Sequence, residues 1–188
     1  MLIDNNQRFD MKKVFILLLA LACTVAAHAQ VNFSRLTQKY EITEIEAENS
    51  DTLYELFYME NEGERQYFIS LHPLSVGGRI LKVSAGPIYT LFIPIGSTFE
   101  ESLATLKNLQ ALIKSEPRTS QTIQGCVAFG LPNEDLETVT VTCRKLITRS
   151  LEFGIEREGG MLAAYIGRPE LASLVSGLKF EQKLRSKK

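Results

Sequence analysis

The stretch IYTLFIPIGSTFEESLATLKNLQALI, residues 88–113, carries the two signals that decide the fold. Its first part, Ile88 to Ile95, is a short run rich in β-branched and aromatic residues, which predicts a strand. Pro94 has no amide to donate, so this strand is expected at a sheet edge or to end there. The second part predicts a helix. Ser97-Thr98-Phe99-Glu100 reads as a capping box, in which the Ser97 hydroxyl accepts from the amide three residues on and Glu100 reaches back. Phe99, Leu103, Leu106, Leu109, Leu112 and Ile113 then recur at helical spacing, with Glu101, Lys107, Asn108 and Lys114 away from that stripe. A helix over about 98–115 with one apolar stripe needs a sheet to cover, and Glu116-Pro117 ends it.

Toward the N-terminus the pattern is that of a meander. Tyr40 to Glu48 and Thr52 to Glu60 are strand-like runs parted by Asn49-Ser50-Asp51, and Arg65 to His72 follows the Asn61-Glu62-Gly63 turn. In that third run Tyr67, Ile69 and Leu71 alternate with Gln66, Phe68 and Ser70. Pro73 to Gly78 interrupts, and Arg79 to Ser84 is read as a further strand before Ala85-Gly86-Pro87. Toward the C-terminus, Arg149 to Arg157 and Met161 to Ile166 form a hairpin around Glu158-Gly159-Gly160. A second helix over about 169–179 starts with Pro169 in its first turn and aligns Leu171, Leu174, Val175 and Leu178; Gly177 weakens its end.

Runs of strands closed by a helix predict an α+β fold: an antiparallel β-sheet of several hairpins packed against two amphipathic helices. Ile95-Gly96 and Ile166-Gly167 each close a strand and open a helix, so the chain from 30 to 188 reads as a single α+β domain with two similar strands-then-helix halves, 38–116 and 119–182. Duplication and chance recurrence of such a joint both fit the short echo.

Composition bounds the function. Hydrophobic residues make up 45% of the 188, and 21 Lys+Arg against 22 Asp+Glu leave a formal charge of -1. That is enough apolar material for a core and no global basic field for nucleic acid. Met11-Lys12-Lys13, the apolar run Val14 to Ala22 and the Ala27-His28-Ala29 end match a secretory signal peptide cleaved after Ala29. Val14 through Ala27 is only 14 residues, short of the about 20 a transmembrane helix needs. Residues 1–29 are therefore read as an N-terminal extension plus leader, with translation starting at Met1 or Met11. A lipid anchor at Cys23 is the rival address. The remainder, from Gln30, holds one His (His72), two Asp (Asp51, Asp135), two Cys (Cys126, Cys143) and no Trp, a poor stock for metal or acid-base sites.

After export Cys126 and Cys143 would meet an oxidising compartment. If they face each other across an antiparallel pair, Ala128 lies opposite Val141 and Gly130 opposite Val139, with Asn133 to Leu136 as the loop; this register predicts a Cys126–Cys143 disulfide. Two free buried thiols are the alternative. Glu44, Glu46 and Glu48 share one side of their strand and offer Ca²⁺ ligands, but same-face positions almost 7 Å apart favour a solvated edge, and no metal is expected. His72 with Cys126 would make a nucleophile-base pair only if the thiol is unbridged. Ser75-Val76-Gly77-Gly78-Arg79 is a plain turn or an anion-binding loop. Tyr54, Tyr58 and Tyr67 on neighbouring strands make either a binding surface or one side of the core. The basic tail (Lys179, Lys183, Arg185, Lys187, Lys188) is solvated or touches an anionic surface.

The sequence has no G-x-S-x-G, P-loop or H-E-x-x-H motif. These features imply a periplasmic or secreted, non-catalytic binding or structural component of the bacterial cell envelope, without cofactor, whose partner is a protein, peptide or glycan. A small exported hydrolase with a dispersed active site is the alternative.

Overall fold

A computed structural model describes residues 36–46, 53–72, 74–76, 79–80, 89–145, 147–158 and 160–187, all within the compact unit Asn32–Lys188. The leader, Glu48, Gly77, Gly78 and the expected strand beyond Ile80 lie outside them. The strands are β1 (Gln38–Glu46), β2 (Leu53–Asn61), β3 (Glu64–His72), β4 (Ser75–Val76), β5 (Arg79–Ile80), β6 (Tyr89–Gly96), β7 (Ser120–Phe129), β8 (Glu137–Lys145), β9 (Arg149–Arg157) and β10 (Gly160–Gly167). Helix α1 (Phe99–Leu112) follows β6, and α2 (Arg168–Arg185) follows β10. Every pairing is antiparallel, in the order β1-β2-β3-β6-β7-β8-β9-β10-β4-β5. Each long strand thus lies beside the next long strand in the chain, and four long strands precede each helix.

Local chemistry sets these turns. Asn61 pairs with Glu64, leaving Glu62 and Gly63 at φ 51 and 87, the two positive values that a type I′ hairpin turn requires. At the β6–α1 joint Gly96 sits at φ 150, and a Cβ there would come within 2.6 Å of the Glu101 Cβ and 2.8 Å of the Ser102 amide nitrogen. The helix cap falls one residue later than expected: Thr98 is the N-cap, and its hydroxyl accepts from the Glu101 amide at 3.2 Å. Glu101 Oε2 accepts from the amides of Ser97 and Thr98 at 2.8 and 3.3 Å and from the Ser97 hydroxyl. Ser97 holds the capping carboxylate and does not cap.

Strand β7 changes partner halfway. Ser120 to Gly125 pair with β8, and Cys126 to Phe129 pair with β6. Gly125, at the change, lies so close to its neighbours that a Cβ would meet Ile93 Cδ1 at 2.7 Å, Val139 Cγ2 at 2.8 Å and the Phe92 carbonyl oxygen at 3.1 Å. The change also corrects the expectation from Pro94. Strand β6 is interior, but its ladder to β7 ends at Phe92–Cys126 while its ladder to β3 continues through Pro94. Pro94 therefore lies where β6 has one ladder among the described residues, and its missing amide leaves no bond unmade.

The sheet curls, and both helices pack one side against its inner face. Past β3 the chain enters β4, which pairs with β10, and the Ser75 hydroxyl donates to the Ala163 carbonyl at 3.1 Å. Inside, Leu56, Ile69, Ile93, Val141 and Phe153 meet Leu106 and Leu109 of α1 and Leu171, Leu174 and Leu178 of α2 in one continuous core. Burying each such side chain contributes about 1.5–3 kcal/mol. The expected one-sided alternation holds only in part, because Phe57, Met59, Phe68 and Phe92, on the opposite faces of β2, β3 and β6, are buried as well. Phe57 stacks on Phe68 at 5.4 Å and meets Phe92 edge-on at 6.1 Å. Helix α2 runs six residues beyond the expected end. Gly177 lies inside it, and a Cβ there would come within 2.7 Å of Thr43 Cγ2; the missing side chain brings α2 close to β1.

Candidate functional site

The three tyrosines of the expected surface are core residues. Tyr54, Tyr58 and Tyr67 are 6%, 7% and 4% exposed. The Tyr54 hydroxyl donates to the Tyr165 carbonyl at 2.9 Å, tying β2 to β10, and burial together with the nearby Glu170 pushes its pKa up to about 12. Tyr58 stacks on Tyr40 at 4.8 Å, and the guanidiniums of Arg65 and Arg185 lie 4.6 and 4.7 Å from its centroid. Arg65 is paired with Glu60 and Arg185 with Glu181. This group fastens the end of α2 to β2 and offers no open platform.

The cysteines are apart. Ser120 lies opposite Thr142, and the Cys143 amide donates to the Thr119 carbonyl at 2.8 Å, so Cys143 faces residue 119 and not Cys126. The expected register was off by seven residues because β7 gives its last four positions to β6. Both thiols are free and buried. The Cys143 thiol lies 3.6 Å from the Ile113 carbonyl and 3.7 Å from that of Ser115, and Arg149 donates to Ser115 at 2.6 Å. Together they satisfy carbonyls left over beyond the C-terminus of α1, which has no basic residue in its last turn. Cys126 pairs with Phe92 on the other face. Burial raises its pKa, against a backbone hydrogen bond at Asn133 that lowers it. His72 lies on β3, with β6 between it and Cys126, so no nucleophile-base pair forms.

Two of the carboxylates, Glu55 and Glu152, have structural partners. A bulge in β1 between Glu41 and Thr43 brings Glu41, Glu44 and Glu55 together, with one oxygen of each within 4.8 Å of the others. Glu55 accepts from Lys39 at 2.7 Å and Ser70 at 3.0 Å. Glu46 is exposed at the end of the same strand. Glu152, buried on β9, was missed by the sequence reading. It accepts from Arg144 Nε at 3.0 Å and from the Tyr165 hydroxyl at 2.8 Å. Its only signal was a Glu opposite Thr142 and Tyr165, visible once the registers are known.

What stands open is a pair of rings on the rim shared by β6 and β7. Tyr89 and Phe129 are register partners, 57% and 64% exposed, and Leu131 follows at 44%. They share the side chain direction of Leu91 and Val127 but lie past the end of the core. Gly130, between Phe129 and Leu131, takes φ 83 with open space around it, and the Leu131 amide donates back to the Phe129 carbonyl at 3.2 Å. No helix among the described residues is long and apolar enough to cross a membrane. The class the fold defines is a curled antiparallel sheet packed against two helices. No protein-family model, no curated protein and no solved structure matches the chain.

Proposed function

We propose that the protein is an exported, non-catalytic binding component of the bacterial cell envelope, and that it holds a protein or peptide partner against the Tyr89–Phe129–Leu131 rim. The observation that carries this reading is the exposure of two directly opposed aromatic rings at a strand end. Aromatic side chains are the usual anchors of interfaces, since they bring large area at low conformational cost. The Cys143 thiol and the Glu152 carboxylate, groups a hydrolase would draw on, already hold a helix end and neighbouring strands together, which favours binding over catalysis. Export rests on the leader pattern, with the mature chain starting at Gln30 and a lipidated Cys23 as the alternative product.

The test places a photo-activated phenylalanine analogue at position 129 in the native host, with the exposed Thr140 position on β8 as control. A discrete cross-linked product from position 129 and none from position 140 supports the reading. Absence of any product at 129 defeats it. Intact mass of the cross-linking sample reports the N-terminus at the same time.

A further inference from the structure

Helix α2 buries one side and carries on the other a pattern the fold does not use. With Leu171, Leu174, Val175 and Leu178 turned inward, the helical step puts Phe180 and Leu184 one turn apart on the outward face. They are 63% and 46% exposed. Lys179 and Lys183 run beside them at the same spacing and Lys187 follows in the turn after the helix, all exposed, and no ion pair among the described residues involves them. Between Leu171 and Lys187 the single acid is Glu181, held by Arg185 at 2.6 Å on the flank that meets Tyr58. The last turns of α2 therefore present an apolar ridge beside a row of cations, on a chain of formal charge -1.

We propose that this face of α2 docks on an anionic phospholipid surface, with Phe180 and Leu184 entering the headgroup boundary and the three lysines meeting phosphate. Cations alone suit any polyanion. The ridge beside them needs an apolar sink, which the interface of a bilayer supplies and a solvated acidic chain does not. Upstream on the same face Ala172, Ser173 and Ser176 are small and uncharged, so the helix can lie flat along the surface. Each lysine near such a surface strengthens binding about fivefold, and three together roughly a hundredfold. The proposal does not depend on the Tyr89–Phe129 rim, which lies on other elements.

The experiment takes the protein as isolated from its own cells and sediments it with vesicles of phosphatidylglycerol and phosphatidylcholine, with vesicles of phosphatidylcholine alone, and tests polyglutamate separately. Binding to the anionic vesicles only, weakening with salt, is expected. The paired changes F180S/L184S and K183Q/K187Q should each lower the partition coefficient at least tenfold, with the circular dichroism spectrum and melting little changed because all four side chains are exposed. Equal binding to both vesicle types, no binding to anionic vesicles, or variants that bind as the unaltered protein does would overturn the proposal. Tight binding to polyglutamate that survives F180S/L184S would overturn it too and identify an acidic macromolecule instead.

Discussion

Gly125→Ala isolates the point on which the sheet turns. The added methyl would sit 2.7 Å from Ile93 Cδ1, 2.8 Å from Val139 Cγ2 and 3.1 Å from the Phe92 carbonyl oxygen, where carbon–carbon contacts normally settle at about 3.5–4.0 Å. Ile93 and Val139 are fully buried, and the Phe92 oxygen belongs to the β6–β7 ladder, so neither side can yield freely. Overpacking of this kind costs about 1–3 kcal/mol. Replacing Gly in the unfolded chain returns about 0.4–1 kcal/mol. The net loss is about 1.5 kcal/mol, or a fall in Tm of roughly 3–6 °C for a domain of this size. Urea denaturation followed by circular dichroism measures it, and Ile93→Val, which removes the nearest methyl, supplies the second arm. The double variant should lose less than the sum of the two single losses, by about 0.5 kcal/mol or more. An unchanged midpoint for Gly125→Ala, or strict additivity with Ile93→Val, would refute the close approach as the reason for glycine.

Three further outcomes are expected. Tyr54 has its pKa raised from 10.0 to about 12, so the native state holds this proton more tightly. Its contribution is complete below pH 10 and is lost as pH rises toward 12, about 3 kcal/mol in all; Tyr54→Phe should flatten that part of the stability curve in alkaline denaturation. Arg144→Met leaves the buried Glu152 carboxylate with Tyr165 alone and should cost about 1–2 kcal/mol, while Arg144→Met/Glu152→Leu should recover most of it in the same melting assay. Alkylation of denatured protein without reductant, read by peptide mass, should label both Cys126 and Cys143; unlabelled thiols that appear only after reduction would contradict the register of β7.

The elements were legible because their signals are local. The β9 boundaries, the β2–β3 turn and the apolar stripe of α1 depend on residues within one turn or one hairpin of each other. The cysteine register was not legible, because Val139 and Val141 present the same alternation whichever residues of β7 they oppose, and nothing local announces that β7 divides between two neighbours. Gly125 is that announcement, but a glycine inside a strand also marks a bulge or a ligand contact. The tyrosines were ambiguous for a related reason: a ring in a strand reads the same whether its face is covered or open. Tyr89 and Phe129 stand at strand ends, beyond the last core layer, and only the paired register reveals them as neighbours. The C-terminal turns of α2 read as a solvated basic tail because the lysines there mask the contact Arg185 makes with Tyr58.

The order of the sheet bears on how the chain reaches this state. Because each long strand lies against the next long strand in the chain, hairpins can form as soon as their residues are available, with small loops to close. One seam breaks that rule. Ser75 meets Ala163 across 88 residues, and Tyr54 meets Tyr165 across 111, so the curl can close only after β10 exists. Helix α2, last in sequence, fills the space that closing creates. A chain emerging from its N-terminus would pass through an open, growing meander with Leu56, Ile69 and Ile93 still uncovered, and would become resistant to proteolysis in one late step when β10 and α2 arrive.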